Sequence, residues 1–181
     1  MNITRRSSLR DVAAAVGRAL REAGFDAVLT GGACATIYSR GAYVSHDLDF
    51  IVRAGGGRAA LDAALGGVGF KRAHDRYVHP ATPFFVEFPR GPLSIGNDTN
   101  IRPVDLKIGR ITIPALSATD SCRDRLAAFY HWSDRQSLRS AVDIALHATV
   151  NMAAVRKWSE REGSSDKFAE FQAELARRRR R

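Results

Sequence analysis

His46-Asp47-Leu48-Asp49-Phe50-Ile51-Val52 is an apolar run that opens with two acids one residue apart. Successive side chains of a strand point to opposite faces, so Asp47 and Asp49 project together, about 7 Å apart, while Leu48 and Phe50 face the other way. Two like charges this close on a strand that reads as buried cost stability unless a cation sits between them. A divalent metal ion reconciles the two demands.

The stretch upstream supplies a second piece of chemistry. Phe25-Asp26-Ala27-Val28-Leu29-Thr30 reads as a strand, and it breaks at Gly31-Gly32 into Ala33-Cys34-Ala35-Thr36-Ile37-Tyr38-Ser39, which reads as a short helix. Glycines between a strand and a helix N-terminus let the backbone approach a phosphate, whose charge the exposed amides and the helix dipole favour. A phosphate cradle and a pair of metal acids therefore adjoin in sequence, with fourteen residues between Gly32 and Asp47.

A third acid stands further on. Phe84-Phe85-Val86-Glu87-Phe88-Pro89 reads as a strand in which Glu87 is the lone charge; Phe70 to Val78 reads as one strand of a hairpin closed by a turn over Pro80 to Pro83, and the Glu87 strand as its return, beside the aspartate strand. The order strand, Gly31-Gly32, short helix, loop and Asp47-Leu48-Asp49-Phe50, with Glu87 on a neighbouring strand, resembles the nucleotidyltransferase-fold superfamily that includes DNA polymerase beta, kanamycin nucleotidyltransferase and small antitoxin-type members. The match runs from about Ala27 to Pro89. Ser45 occupies the small hydroxyl position two before the first aspartate. A looser likeness follows: Asp120-Ser121-Cys122-Arg123-Asp124-Arg125-Leu126 and His131-Trp132-Ser133-Asp134-Arg135-Gln136 resemble the helix pair that follows the catalytic core in the abortive-infection branch.

The resemblance implies an α/β fold, a nucleotidyltransferase-like mixed sheet flanked by helices and followed by a C-terminal helical segment. It implies Asp47, Asp49 and Glu87 as catalytic and metal-binding residues for Mg²⁺ or Mn²⁺, and Gly31, Gly32, Ser45 and Arg125 as contacts to an NTP. The reaction implied moves an NMP group to a hydroxyl acceptor on an RNA end, a protein or a small molecule. A toxin-antitoxin or abortive-infection setting, with a small helical partner protein, is part of the same implication. Glutamate stands at the third acid, where active members usually carry aspartate, and this favours an alternative: a catalytically inactive module of the same fold that binds a nucleotide or a partner.

Composition sets the outer bounds. A chain of 181 residues, 45% apolar and 26% charged, is long enough to bury a sizeable core and has no apolar run near a membrane span. No membrane partner is expected. Two cysteines, Cys34 and Cys122, lacking a C-x-x-C spacing, suit a reducing cytoplasm without structural zinc. The basic start does not read as a secretory signal, because Asp11, Arg18, Arg21 and Glu22 interrupt it; Ser8 and Asp11 make a capping box for a helix that Gly24 would stop. Of the net charge of +9, five charges are Arg177 to Arg181, leaving +4 for the rest, and such a run reads as a solvated helix end.

The pattern predicts an α/β core over residues 1–116 and a helical extension over 117–181. A helix from Arg58 to Leu65, a hairpin of Val104 to Ile108 with Ile111 to Ile113, and helices with stripes at Cys122-Leu126-Phe129, at Leu138-Ala141-Ala145-Leu146-Thr149, at Met152-Val155-Trp158 and at Phe168-Phe171-Leu175 complete the reading. Trp132, Trp158, Phe168 and Phe171 at helical spacing read as core. Gly55-Gly56-Gly57-Arg58-Ala59-Ala60 fits the form of a dinucleotide-binding turn, but paired acids on the preceding strand and the lack of a parallel βαβ succession speak against an NAD site. Arg125 and His131, six residues apart, fall on different sides of a continuous helix, and no serine has a histidine and an acid at nucleophile spacing.

Overall fold

A computed structural model describes residues 2–180; Met1 and Arg181, the last of the terminal arginines, lie outside the described residues. In chain order the elements are α1 (Leu9–Glu22), β1 (Asp26–Thr30), α2 (Gly31–Tyr38), β2 (Asp47–Ala54), α3 (Arg58–Gly66), β3 (Lys71–Ala73), β4 (Arg76–Val78), β5 (Phe85–Glu87), β6 (Val104–Ile108), β7 (Ile111–Ala115), α4 (Ala118–Trp132), α5 (Arg135–His147), α6 (Met152–Arg161) and α7 (Ser165–Arg179). The chain forms two compact units. One comprises the residues up to Ala33 with Ser45–Leu93 and Arg102–Leu116; the other comprises Cys34–Val44, Ser94–Ile101 and the residues from Ser117 on.

The first unit is built on a mixed sheet of order β3-β4-β5-β2-β1-β7-β6. β1 and β2 are antiparallel, and β2 and β5 are parallel, with Asp47 opposite Phe85 and Asp49 opposite Glu87. The crossover between these two runs through α3 and the β3–β4 hairpin, and that detour lets β5 return in the direction of β2. α1 begins where expected: Ser8 Oγ accepts from the Asp11 amide at 3.2 Å, and Asp11 accepts from the Ser8 amide at 2.9 Å. Its buried stripe of Leu9, Val12, Ala13, Val16 and Leu20 belongs to a helix packed on β1 and β7.

Sequence and structure differ at three places, two in this unit and one in the second. Phe70 to Val78 is not one strand but a hairpin, turned at His74-Asp75, and its second strand β4 pairs with β5. A two-residue turn of two polar residues, with His74 at φ +59°, does the work usually signalled by glycine. Gly31 and Gly32 do not stand between β1 and α2 but form the first residues of α2. α5 ends at His147, so Thr149 lies beyond the helix to which its spacing assigned it.

The second unit packs α4 against α5 and α6, and α7 against α5 and α6. Trp158 and Phe171 are buried, as their spacing predicts, and Tyr130 stacks on Trp158 with ring centroids 5.4 Å apart. Burial pushes the Tyr130 hydroxyl up to about 12, against a hydrogen bond with Ser159 that pulls the other way. Trp132 departs from the core reading: it is 78% exposed, because α4 ends at that residue and Ser133 turns the chain away in the left-handed region. Lys167 donates to the carbonyls of Phe129 and Tyr130, satisfying acceptors that the end of α4 leaves open. The terminal arginines are not all solvated either, since Arg178 donates to the buried carboxylate of Asp143 at 2.7 Å and ties α7 to α5.

Two stability predictions follow from these contacts. A methyl group at Gly17 would stand 2.6 Å from Ile113 Cγ2. Gly17→Ala gains about 1 kcal/mol of helix propensity and costs roughly 1–3 kcal/mol of overpacking, so we expect a net loss of about 1 kcal/mol in urea unfolding. An unchanged or raised midpoint would show that Ile113 yields freely. In the second unit, burial tends to raise the carboxyl pKa of Asp98, but hydrogen bonds from Arg123 and the Asn100 amide outweigh it and hold the group below its ordinary value. A depressed folded pKa stabilises above the unfolded value, and that contribution is lost as pH falls through the folded one. Asp98→Asn is therefore expected to lower the melting temperature near pH 7, with the difference from wild type shrinking below about pH 4; a difference independent of pH would refute the assignment.

Candidate metal centre

The parallel pairing of β2 with β5 sets the centre. Because Asp49 is registered with Glu87 and Asp47 with Phe85, the alternation of the pleat turns Asp47, Asp49 and Glu87 to one face and Leu48, Phe50 and Val86 to the other. Leu48, Phe50 and Val86 are buried without exposed surface, whereas the three acids are half-buried. One carboxylate oxygen from each acid lies within 4.8 Å of the others. At an effective dielectric of about 20, such a pair repels by roughly 3 kcal/mol before ionic screening, so the trio gains from a cation between its members.

The donor set fits a hard divalent cation. Three carboxylates supply oxygen and nothing softer, the chemistry that Mg²⁺, Mn²⁺ and Ca²⁺ prefer over Zn²⁺ or copper. The extra methylene of Glu87 does not keep it out of reach of the two aspartates. Among the described residues, this is the one group of acids, histidines or cysteines so arranged.

The neighbours hold the acids in place. Ser45, buried, donates from Oγ to Asp47 Oδ1. Thr30 Oγ1 donates at 3.3 Å to the backbone carbonyl of Asp49, linking β1 to β2 beside the centre. Gly31 has φ +62°, and a Cβ there would fall on Asp49 Oδ2, so the residue is glycine both for its backbone and for the carboxylate packed over it. Gly32 follows it in the first turn of α2.

Arg125 lies in the second unit, on α4, where Nε and Nη2 donate to Asp124 at 3.0 and 2.6 Å. One residue escaped the sequence reading. Arg76 on β4 is the registered partner of Glu87, which puts it on the face that carries the acids, and its guanidinium sits 4.5 Å above the Phe85 ring. Its signal in the sequence was the alternation of Arg76-Tyr77-Val78, hidden because that stretch read as part of a longer strand.

No protein-family model matches the chain, and no curated protein matches it. Among solved structures it is similar to an antigenic nucleotidyltransferase-like protein from Paracoccidioides brasiliensis, with a TM-score of 0.62 over 98% of this chain and 91% of that one. The fold is nucleotidyltransferase-like. At 15% identity the likeness speaks to fold alone, and the seven-stranded mixed sheet with its flanking helices agrees with the architecture that the sequence motif implies. Among the described residues, no helix is long and apolar enough to cross a membrane.

If the three acids hold a divalent cation, millimolar Mg²⁺ should raise the melting temperature of the wild-type chain by a few degrees. Asp49→Ala should abolish that rise and, in EDTA, should melt no lower than wild type, because it removes a repelling charge. Gly31→Ala should also lose the Mg²⁺ response, since its methyl group displaces the Asp49 carboxylate. Differential scanning calorimetry with and without EDTA checks all three, and a Mg²⁺ response that survives Asp49→Ala would place the ion elsewhere.

Proposed function

We propose that the protein is a metal-dependent nucleotidyltransferase that moves an NMP group from an NTP to a hydroxyl acceptor. The observation that supports this reading is the convergence of Asp47, Asp49 and Glu87 within 4.8 Å beside the Gly31-Gly32 start of α2. A divalent cation held there would neutralise triphosphate oxygens and draw electron density from the α-phosphorus. Asp47 and Asp49 would hold the ion, and Ser45 fixes the orientation of Asp47.

Glu87 completes the donor set or accepts the proton of the attacking hydroxyl. The acceptor oxygen forms its bond to the α-phosphorus as the bond to the bridging oxygen breaks, and pyrophosphate leaves. Backbone amides at Gly31 and Gly32 cradle the β- and γ-phosphates. Arg76, on the same face, offers a further cation to the triphosphate.

The acceptor is an RNA end, a protein or a small molecule, and the abortive-infection or toxin-antitoxin setting, with a small helical partner, belongs to this proposal. Cys34 and Cys122 are both buried and outside any disulfide, which suits a cytoplasmic protein. A second reading, a nucleotide-binding module without transfer, is favoured by glutamate at the third acid; the reach of Glu87 to both aspartates weighs against it.

Incubation of the protein with α-labelled NTPs, Mg²⁺, and either total RNA or cell protein separates the two readings. We expect label transfer that Asp47→Ala reduces at least a hundredfold and Glu87→Gln at least tenfold, with Glu87→Asp retaining part of the activity. Nucleotide binding without transfer to any acceptor would overturn the enzyme in favour of the module.

A further inference from the structure

On the face of the sheet opposite the three acids, the first unit holds an open groove of about 460 Å³. The alternation of the strands places it there: Val52 lies on the Leu48 and Phe50 side of β2, and Tyr77 is registered with Val86 rather than with Glu87. The floor includes Val52, Tyr77 and Phe88, and the Phe88 ring meets Tyr77 edge-on at 5.6 Å. The walls carry three exposed arginines from three separate segments: Arg58 at the start of α3, Arg72 on β3, and Arg90 after β5.

These charges are only partly neutralised: Arg58 reaches the Tyr77 hydroxyl, which donates to Asp62 at 2.6 Å. Asp75 is the one carboxylate in the lining. Arg72 faces Asp62 at 3.8 Å in a pair that is half exposed on both sides, and such pairs contribute little. Arg90 makes no ion pair with any described residue. Three guanidinium groups thus border one largely apolar floor, with Asp62 and Asp75 as the carboxylates near them, and the excess positive charge favours an anion. Guanidinium is suited to phosphate because its planar fork donates two parallel hydrogen bonds.

Gly56 and Gly57 line this space without side chains, and a Cβ on Gly57 would meet nothing within 4 Å. Volume decides the class of ligand. The groove is of the size that takes a small organic ligand, larger than a bare phosphate fills, and its floor is apolar and aromatic. We infer that the groove binds a nucleoside phosphate, with the phosphate among Arg58, Arg72 and Arg90 and the base against Phe88 and Val52, at a site separate from the acidic centre.

Isothermal titration of the full chain in EDTA tests this without engaging a metal at the carboxylates, and repetition on Asp47→Ala makes the result independent of the transferase reading. The probes are AMP, inorganic phosphate and a 5′-phosphorylated tetranucleotide. We expect one AMP per chain, weakened at least tenfold by Arg90→Ala and by Arg72→Ala, in variants whose circular dichroism and melting match wild type, with inorganic phosphate binding more weakly than AMP. Lack of saturable AMP binding, or AMP binding unchanged in both variants, overturns the site. Phosphate bound as tightly as AMP overturns the nucleoside assignment. A tetranucleotide bound tenfold tighter than AMP with the same arginine dependence overturns it in favour of a nucleic-acid strand.

Discussion

The parallel pairing of β2 with β5 is the constraint on which the candidate centre depends. Each strand presents an apolar face and an acidic face, and burial of Leu48, Phe50 and Val86 on one side compels Asp47, Asp49 and Glu87 to share the other. Burying three such side chains contributes roughly 1.5–3 kcal/mol apiece, enough to offset the repulsion that the acids impose. A one-residue slip of β5 would bury Glu87 among leucine and phenylalanine and expose Val86, so the hydrophobic pattern fixes the carboxylates as firmly as any direct contact between them.

The surroundings of the acids are built to the same end. Ser45 restrains one carboxylate, the missing side chain of Gly31 makes room for another, and the β4 partner of Glu87 is an arginine held over Phe85. Opposite charges thus occur on one face. The opposite face holds three arginines around a groove whose lining has Asp75 as its one carboxylate, an excess of positive charge that suits a phosphate without a metal. One sheet presents two chemically different surfaces because the pleat alternates.

The second unit shows how polar groups are held inside a helical core. Arg123, nearly buried, is bracketed by Asp98 and Asp120 and lies 5.1 Å from the Trp158 ring, so the loop that carries Asp98 is fastened to α4 by charge. Removing one member of such a cluster leaves an uncompensated buried charge and is costly. Arg178 and Asp143 repeat the device between α7 and α5, which gives one of the terminal arginines a structural task.

Local pattern was enough to read α1 and its capping box, the aspartate strand, α3, the β6–β7 hairpin and the helical stripes around Leu126 and Phe171, because each is set by periodicity and by residues close in sequence. The acids of the candidate centre were legible for the same reason: charges in apolar runs are conspicuous. The His74-Asp75 turn was not, since nothing in it is glycine or proline, and the place of Arg76 beside Glu87 was lost with it. Sequence by itself determined which side chains carry charge and which strand faces are apolar. Only the tertiary structure decided that Glu87 meets the aspartates, that Trp132 stays outside the core and that Arg58, Arg72 and Arg90 share one groove, because those facts depend on pairings between segments distant along the chain.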